Sequence, residues 1–148
     1  MEEIKEEQNI RAKLHFLQVN LKAPKGQLNK FGNYKYRSAE DITESVKPLL
    51  KEINCSLVLS DTIQAIGDRH YVMAQATLLD NHKDTVTVTA YAREASEKKG
   101  MDAAQITGSA SSYARKYALN GLFAIDDTKD PDATNTHGKT VKPQSDIL

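Results

Sequence analysis

Two stretches of the chain hold residue types that suit contact with a polyanion through both charge and ring stacking. NKFGNYKYRS (29–38) sets Phe31, Tyr34 and Tyr36 among Lys30, Lys35 and Arg37, and SSYARKY (111–117) sets Tyr113 and Tyr117 beside Arg115 and Lys116. Aromatic rings stack on unpaired bases whatever the base identity, each stack being worth roughly 1–3 kcal/mol, while lysine and arginine neutralise phosphates. Interleaving the two residue types is what a single-strand site needs. Ser109, Ser112 and Lys116 fall three and four apart and so share one helix face, where hydroxyls and an ammonium suit close contact with phosphates. Arg93, at the end of a polar strand face, is a further candidate cation. Each cluster also has a second reading. Phe31, Tyr34 and Tyr36 fit equally as core anchors of a hairpin with the lysines as its solvated edge, and Tyr113 and Tyr117 fit as a core stripe with Ile106 and Ala110.

The charge pattern sharpens the first cluster. The chain of 148 residues carries 20 Lys+Arg and 20 Asp+Glu, a net charge of zero, which argues against a uniformly basic binder. Between positions 22 and 37, however, there are five basic residues, Lys22, Lys25, Lys30, Lys35 and Arg37, and no acidic one. From 126 to 132 the balance reverses, with Asp126, Asp127, Asp130 and Asp132 against Lys129. Distribution, not the total, determines a binding footprint.

Catalytic chemistry finds little support in the residue pattern. No HExxH, GxxxxGK[ST] or GxGxxG stretch occurs, and no carboxylate pairs with a histidine at a spacing that suggests a triad. The single cysteine, Cys55, excludes an internal disulfide and reads as a small buried residue at a strand start. His15, His70, His82 and His137 stand at no recognised zinc spacing. The expectation is therefore no catalytic residue, no metal and no cofactor. No window approaches eighteen apolar residues, and MEEIKEEQNI alternates charge where a secretion signal would be apolar, which reads as a cytoplasmic protein with no membrane partner.

The elements that must position these clusters follow from hydrophobic period and turn chemistry. Ile10, Leu14, Leu17 and Leu21 predict a helix over 2–22, ended by Pro24 and Gly26. Residues 25–37 read as a loop or a short hairpin turning at Gly32 and Asn33. Ser38 and Asp41 then have the form of an N-terminal cap, and Ile42, Val46, Leu49 or Leu50, and Ile53 give the buried stripe of a second helix that Pro48 should kink. From Cys55 the period changes to two: CSLVLSDTIQAI, HYVMAQATLLD and TVTVTAYAR predict an antiparallel meander, with turns at Gly67-Asp68 and at 80–84. In the last strand Val86, Val88, Ala90 and Ala92 should pack while Thr87, Thr89, Tyr91 and Arg93 face outward. Asp102 and Gln105 open a third helix, rich in small residues, that should run to about Asn120 with Gly121 at its end. The polar stretch from 126 to 148 is nearly empty of large apolar side chains and is expected to be disordered, leaving one folded domain over 1–125.

YKYRSAEDITESVKPLLKE (34–52) and MDAAQITGSASSYARKYALNGLFAI (101–125) followed by two aspartates together resemble the ERF, or essential recombination function, family of phage single-strand annealing proteins. Pro48 belongs to that family's pattern. The resemblance implies an α+β fold, a three-stranded antiparallel meander with a long helix crossing it and N-terminal helices flanking it, similar to the ring-forming annealing superfamily. It implies ATP-independent binding of single-stranded DNA and annealing of complementary strands in the bacterial host cytoplasm, by a homo-oligomeric ring or filament, with a host or phage recombination protein as a further candidate partner. The matching positions are the YKYR segment, Tyr34, Lys35, Tyr36 and Arg37, and the ARKY segment, Ala114 to Tyr117, with Arg115 foremost for backbone contact and Lys116 behind it; Lys30, Arg93 and Ser112 complete the candidate DNA-binding set. The alternative from another class is an oligomeric protein-binding scaffold or regulator that uses the aromatic cluster as an interface anchor.

Overall fold

The computed structural model describes residues 8–126. Its element order is α1 (Ile10–Asn20), a hairpin of β1 (Gln27–Asn29) and β2 (Tyr34–Tyr36), α2 (Ala39–Glu52), a meander of β3 (Ser56–Ile66), β4 (Arg69–Leu79) and β5 (Thr85–Arg93), and α3 (Ala103–Phe123). This is an α+β chain with a two-stranded and a three-stranded antiparallel sheet. The first helix begins at Ile10, where Asn9 Oδ1 accepts from the Ala12 N–H. The turns expected before residue 8, and the tail from 127 to 148, lie outside the described residues.

The meander forms because its strands alternate, β4 and β5 throughout and β3 over its first half. Leu57 and Leu59, Val72, Ala74, Ala76 and Leu78, and Val86, Val88, Ala90 and Ala92 share one face, as the register Leu59↔Ala76↔Val88 requires. The opposite face is polar: the Thr77 and Thr87 hydroxyls lie 2.9 Å apart across β4 and β5. Gly67 supplies the positive φ (62°) that the two-residue turn between β3 and β4 needs. Between β4 and β5 the Asp80 carboxylate accepts from the His82 and Asp84 N–H groups, both at 2.9 Å.

The small residues of α3 face this sheet. Ala110, Ala114 and Ala118 are buried, and the helix packs on β4 and β5. A Cβ on Gly121 would stand 3.0 Å from Val88 Cγ1, so this glycine serves close approach to β5. That explains why α3 does not stop there as expected: it continues to Phe123, and Ala124 takes the left-handed conformation (φ 55°) at the C-cap. On the side of α3 toward β3, Ser111 Oγ donates to Asp61, and Arg115 Nε donates to the same carboxylate at 3.0 and 3.2 Å.

Helices α1 and α2 close the core at the far end of α3. Phe16, Leu17, Ile42, Val46, Ile53, Leu119, Leu122 and Phe123 form one buried cluster. Of the second helix's alternatives, Leu50 is buried and Leu49 packs at the margin. The helix continues past Pro48 to Glu52. Pro48 and Glu44 are both exposed, so solvent can serve the Glu44 carbonyl deprived of its helical donor. Cys55 is buried just before β3, and burial pushes its thiol up.

Two polar contacts tie these parts together. Lys13 on α1 is 0% exposed, and its Nζ donates to Asn81 Oδ1 at 2.8 Å, clamping the helix to the β4–β5 turn. Ser38 and Asp41 form the expected reciprocal cap, with Asp41 N–H donating to Ser38 Oγ and Ser38 N–H to Asp41 Oδ2. Asp41 also accepts from the Gly26 backbone and the Gln27 side chain, so one carboxylate caps α2 and moors the hairpin.

Lys13→Met should remove the charge-assisted hydrogen bond that clamps α1 to the turn and cost about 1–3 kcal/mol, read as a lower urea midpoint at unchanged slope. The Ser38 N–H, then its hydroxyl and the Gln27 and Gly26 donors, outweigh the opposing effect of burial and hold the Asp41 carboxyl below its ordinary 3.8. A depressed folded-state pKa means the carboxylate's contribution is complete above that ordinary value and is lost as the pH falls through the folded-state pKa. Asp41→Asn should therefore lower stability near about pH 7 and flatten its loss below about pH 4. Urea midpoints across that range measure both effects.

Candidate nucleic-acid interface

The hairpin reaches its place through three anchors. Asp41 holds its base, as above. Arg37, directly after β2, donates from Nε to the Ala23 carbonyl (2.9 Å) and from a terminal nitrogen to the Asp126 carbonyl (3.0 Å), linking the segment after α1 to the end of α3. Lys116, on the outer side of α3, extends beneath β2: its Nζ lies 5.3 Å from the centroid of the Tyr36 ring and 5.8 Å from that of Tyr113. Both distances are within cation–π range.

The result is a cleft of about 330 Å³ in which the two sequence clusters meet. Tyr34, Lys35 and Tyr36 line one wall and Tyr113, Lys116 and Tyr117 the other, with Lys25 at the rim. A second cleft of about 450 Å³ adjoins it and shares Tyr113 and Tyr117; Tyr91 and Arg93 of β5 and Lys98 of the following loop line its outer part. No carboxylate lines either cleft, although the chain as a whole is neutral. The rings come in tilted pairs, Tyr34 with Tyr36 and Tyr113 with Tyr117, each with centroids 6.2 Å apart.

The geometry decides between the alternative readings of the aromatic residues. Tyr113 and Tyr117 are about half exposed, so they are cleft walls, while Ala110 alone of that stripe is fully in the core. Tyr34 and Tyr36 are half-buried on the cleft side of the hairpin, and Phe31 anchors nothing: it is 104% exposed at the turn.

The candidate set divides accordingly. Tyr34, Lys35, Tyr36 and Lys116 come together, and Arg93 joins them through the second cleft. Lys30 lies exposed in the hairpin turn, and Ser112 is exposed on the outer side of α3. Arg115 lines neither cleft: one position before Lys116 on a 3.6-residue turn, it projects to the other flank and engages Asp61. Arg37 is committed to backbone carbonyls. Lys25, Lys98 and Tyr91 were outside the candidate set. Lys25 had a signal in the acid-free run 22–37, whereas Lys98 sits in a polar loop whose position no local pattern specifies.

Among the described residues, no group of His, Cys, Asp and Glu side chains is arranged to hold a metal ion, and no helix is long and apolar enough to cross a membrane.

Comparison with known proteins places this chain in a family. The ERF superfamily pattern matches residues 10–147. The Essential recombination function protein of Salmonella phage P22 is 60% identical over 121 residues, which cover 82% of this chain and 58% of that protein. The chain thus spans little more than half the length of this curated relative. No solved structure matches it. With nearly the whole chain matched, and both clusters inside the matched range, the chain belongs to the ERF superfamily.

Proposed function

We propose that this protein binds single-stranded DNA along the two adjoining clefts and promotes annealing of complementary strands in phage recombination, without nucleotide hydrolysis. The observation that carries the proposal is the convergence of the two ring-and-cation clusters, nearly eighty residues apart in sequence, in one carboxylate-free cleft. The name of the P22 relative supports recombination as the setting.

In this reading the rings of Tyr34, Tyr36, Tyr113 and Tyr117 offer faces to unpaired bases, and Lys35, Lys25, Arg93 and Lys98 neutralise the phosphates alongside. Lys116 keeps Tyr36 against Tyr113 and adds positive potential from below. Arg115 and Arg37 act as positioning residues: the first fixes α3 on β3 and the second fixes the hairpin over the end of α3. Lys30 and Ser112 extend the contact to the hairpin turn and the outer side of the helix. Stacked bases with neutralised phosphates keep their pairing edges open, so complementarity itself supplies the drive for annealing. Self-association into a ring or filament would join these modest patches into one track, which is how a neutral subunit can hold a polyanion.

Lys35→Ala combined with Arg93→Ala should weaken oligonucleotide binding and reduce the slope of log affinity against log salt by about 1.4, from roughly 0.7 per phosphate contact on a single strand. Fluorescence anisotropy with a labelled oligonucleotide measures this, and an unchanged affinity and slope would remove both residues from the site. The unaltered protein should anneal complementary oligonucleotides with neither nucleotide nor divalent metal present. Absence of oligonucleotide binding at low salt would favour the protein-binding scaffold instead.

A further inference from the structure

We infer that Phe31 is a stacking wedge which enters between neighbouring unpaired bases of a single strand at the hairpin end of the cleft. The inference rests on the DNA-binding reading above and adds a residue outside the candidate DNA-binding set.

The turn that carries Phe31 is built to present it. Asn29 Oδ1 accepts from the Phe31 N–H at 2.9 Å and from the Gly32 N–H at 3.0 Å, so a single side chain ties down both peptide groups of the tip. Asn29 Nδ2 donates to the Tyr34 hydroxyl at 3.0 Å, and a Cβ on Gly32 would stand 3.4 Å from the Tyr34 ring. The phenol thus underlies the turn as a support. Asn33 closes it in the left-handed conformation (φ 53°). All these contacts fix the backbone of the tip, and none covers the Phe31 ring, which is 104% exposed.

A fully exposed phenylalanine on a tethered turn needs an occupant, and the surrounding charge selects one. Lys30 precedes Phe31, and Lys35 follows two residues after the turn. A second copy of the chain would have to receive this tip in an apolar recess. Among the described residues, one apolar recess with rings in its walls, between β5 and α3, is rimmed by Arg93 and Lys98, and another, walled by Leu21, Pro24 and Phe123, has Lys22 and Arg37 beside Asp126. Lysine against arginine and lysine is repulsive at the first, whereas a base flanked by phosphates matches both the ring and its cations. Asn29 and Lys35 also line the first cleft, so the tip stands where a strand would enter or leave it.

The chain has no tryptophan, so Phe31→Trp places a single fluorophore at the tip with no background. Titration with oligothymidylate should quench its emission, while heparin, a polyanion without bases, should not. Phe31→Ala should weaken oligothymidylate binding roughly tenfold, the equivalent of one base stack. Since the ring is fully exposed, both variants should keep the unaltered protein's thermal unfolding. Binding by anisotropy with unquenched tryptophan, or equal quenching by heparin, would overturn the wedge and leave the DNA-binding reading standing. A blue shift that grows with protein concentration in the absence of oligonucleotide would assign the tip to a second copy and overturn the wedge likewise. Failure of the unaltered protein to bind oligothymidylate would overturn the DNA-binding reading and the wedge with it.

Discussion

The close seating of α3 on the meander is the constraint from which the rest of the structure follows. Ala110, Ala114 and Ala118 of α3 and Ala74 and Ala76 of β4 are all buried where the helix packs on the sheet, and Gly121 admits Val88 where even a methyl group would crowd it. Small side chains on both surfaces bring backbone near backbone, so the helix is held by steric fit over many turns. Once its rotation is set in this way, every other residue of α3 has its direction assigned: Ser111 and Arg115 toward β3, Tyr113 and Tyr117 toward β5, Lys116 away from the sheet and under β2.

The hairpin then completes what the helix begins. Its two short strands have too little area to be stable alone. They depend on being moored by Asp41, spanned by Arg37 and floored by Lys116. An ammonium beneath a tyrosine ring is an unusual foundation for a strand, since it places a charge where a leucine would pack more simply. Its consequence is electrostatic: the wall shared by both clusters remains positive even where the residue supplying the charge is buried. The two clefts are free of carboxylates on a neutral chain in which acidic residues stand elsewhere, among them Asp41 at a helix cap, Asp61 under Arg115 and Asp80 in a turn.

Much of this was legible in the sequence for local reasons. The capping boxes at Ser38 and Asp102, the alternation from Ser56 to Arg93 and the turn at Gly67 each depend on residues within a few positions of one another, and each formed where the pattern placed it. What was not legible shares a cause too. Gly121 looked like a helix stop because glycine commonly is one, but its missing side chain answers to Val88, more than thirty residues away in sequence. Arg115, foremost in the candidate set by its place in the family's pattern, stands next to Lys116 in sequence, but one residue along a helix is a turn of about 100°, and its guanidinium engages Asp61 on the other flank.

The sequence by itself determined which segments become helix or strand, which faces are apolar, and that rings and cations are concentrated in two places, because these properties are set by period, caps and composition along a short length of chain. Only the tertiary structure decided that the two clusters face each other, that Lys116 lies beneath Tyr36 while its neighbour Arg115 turns away, and that Phe31 projects from a tethered tip instead of anchoring the hairpin. Those outcomes depend on how one element is rotated against another, and that rotation is settled by packing between residues far apart in sequence.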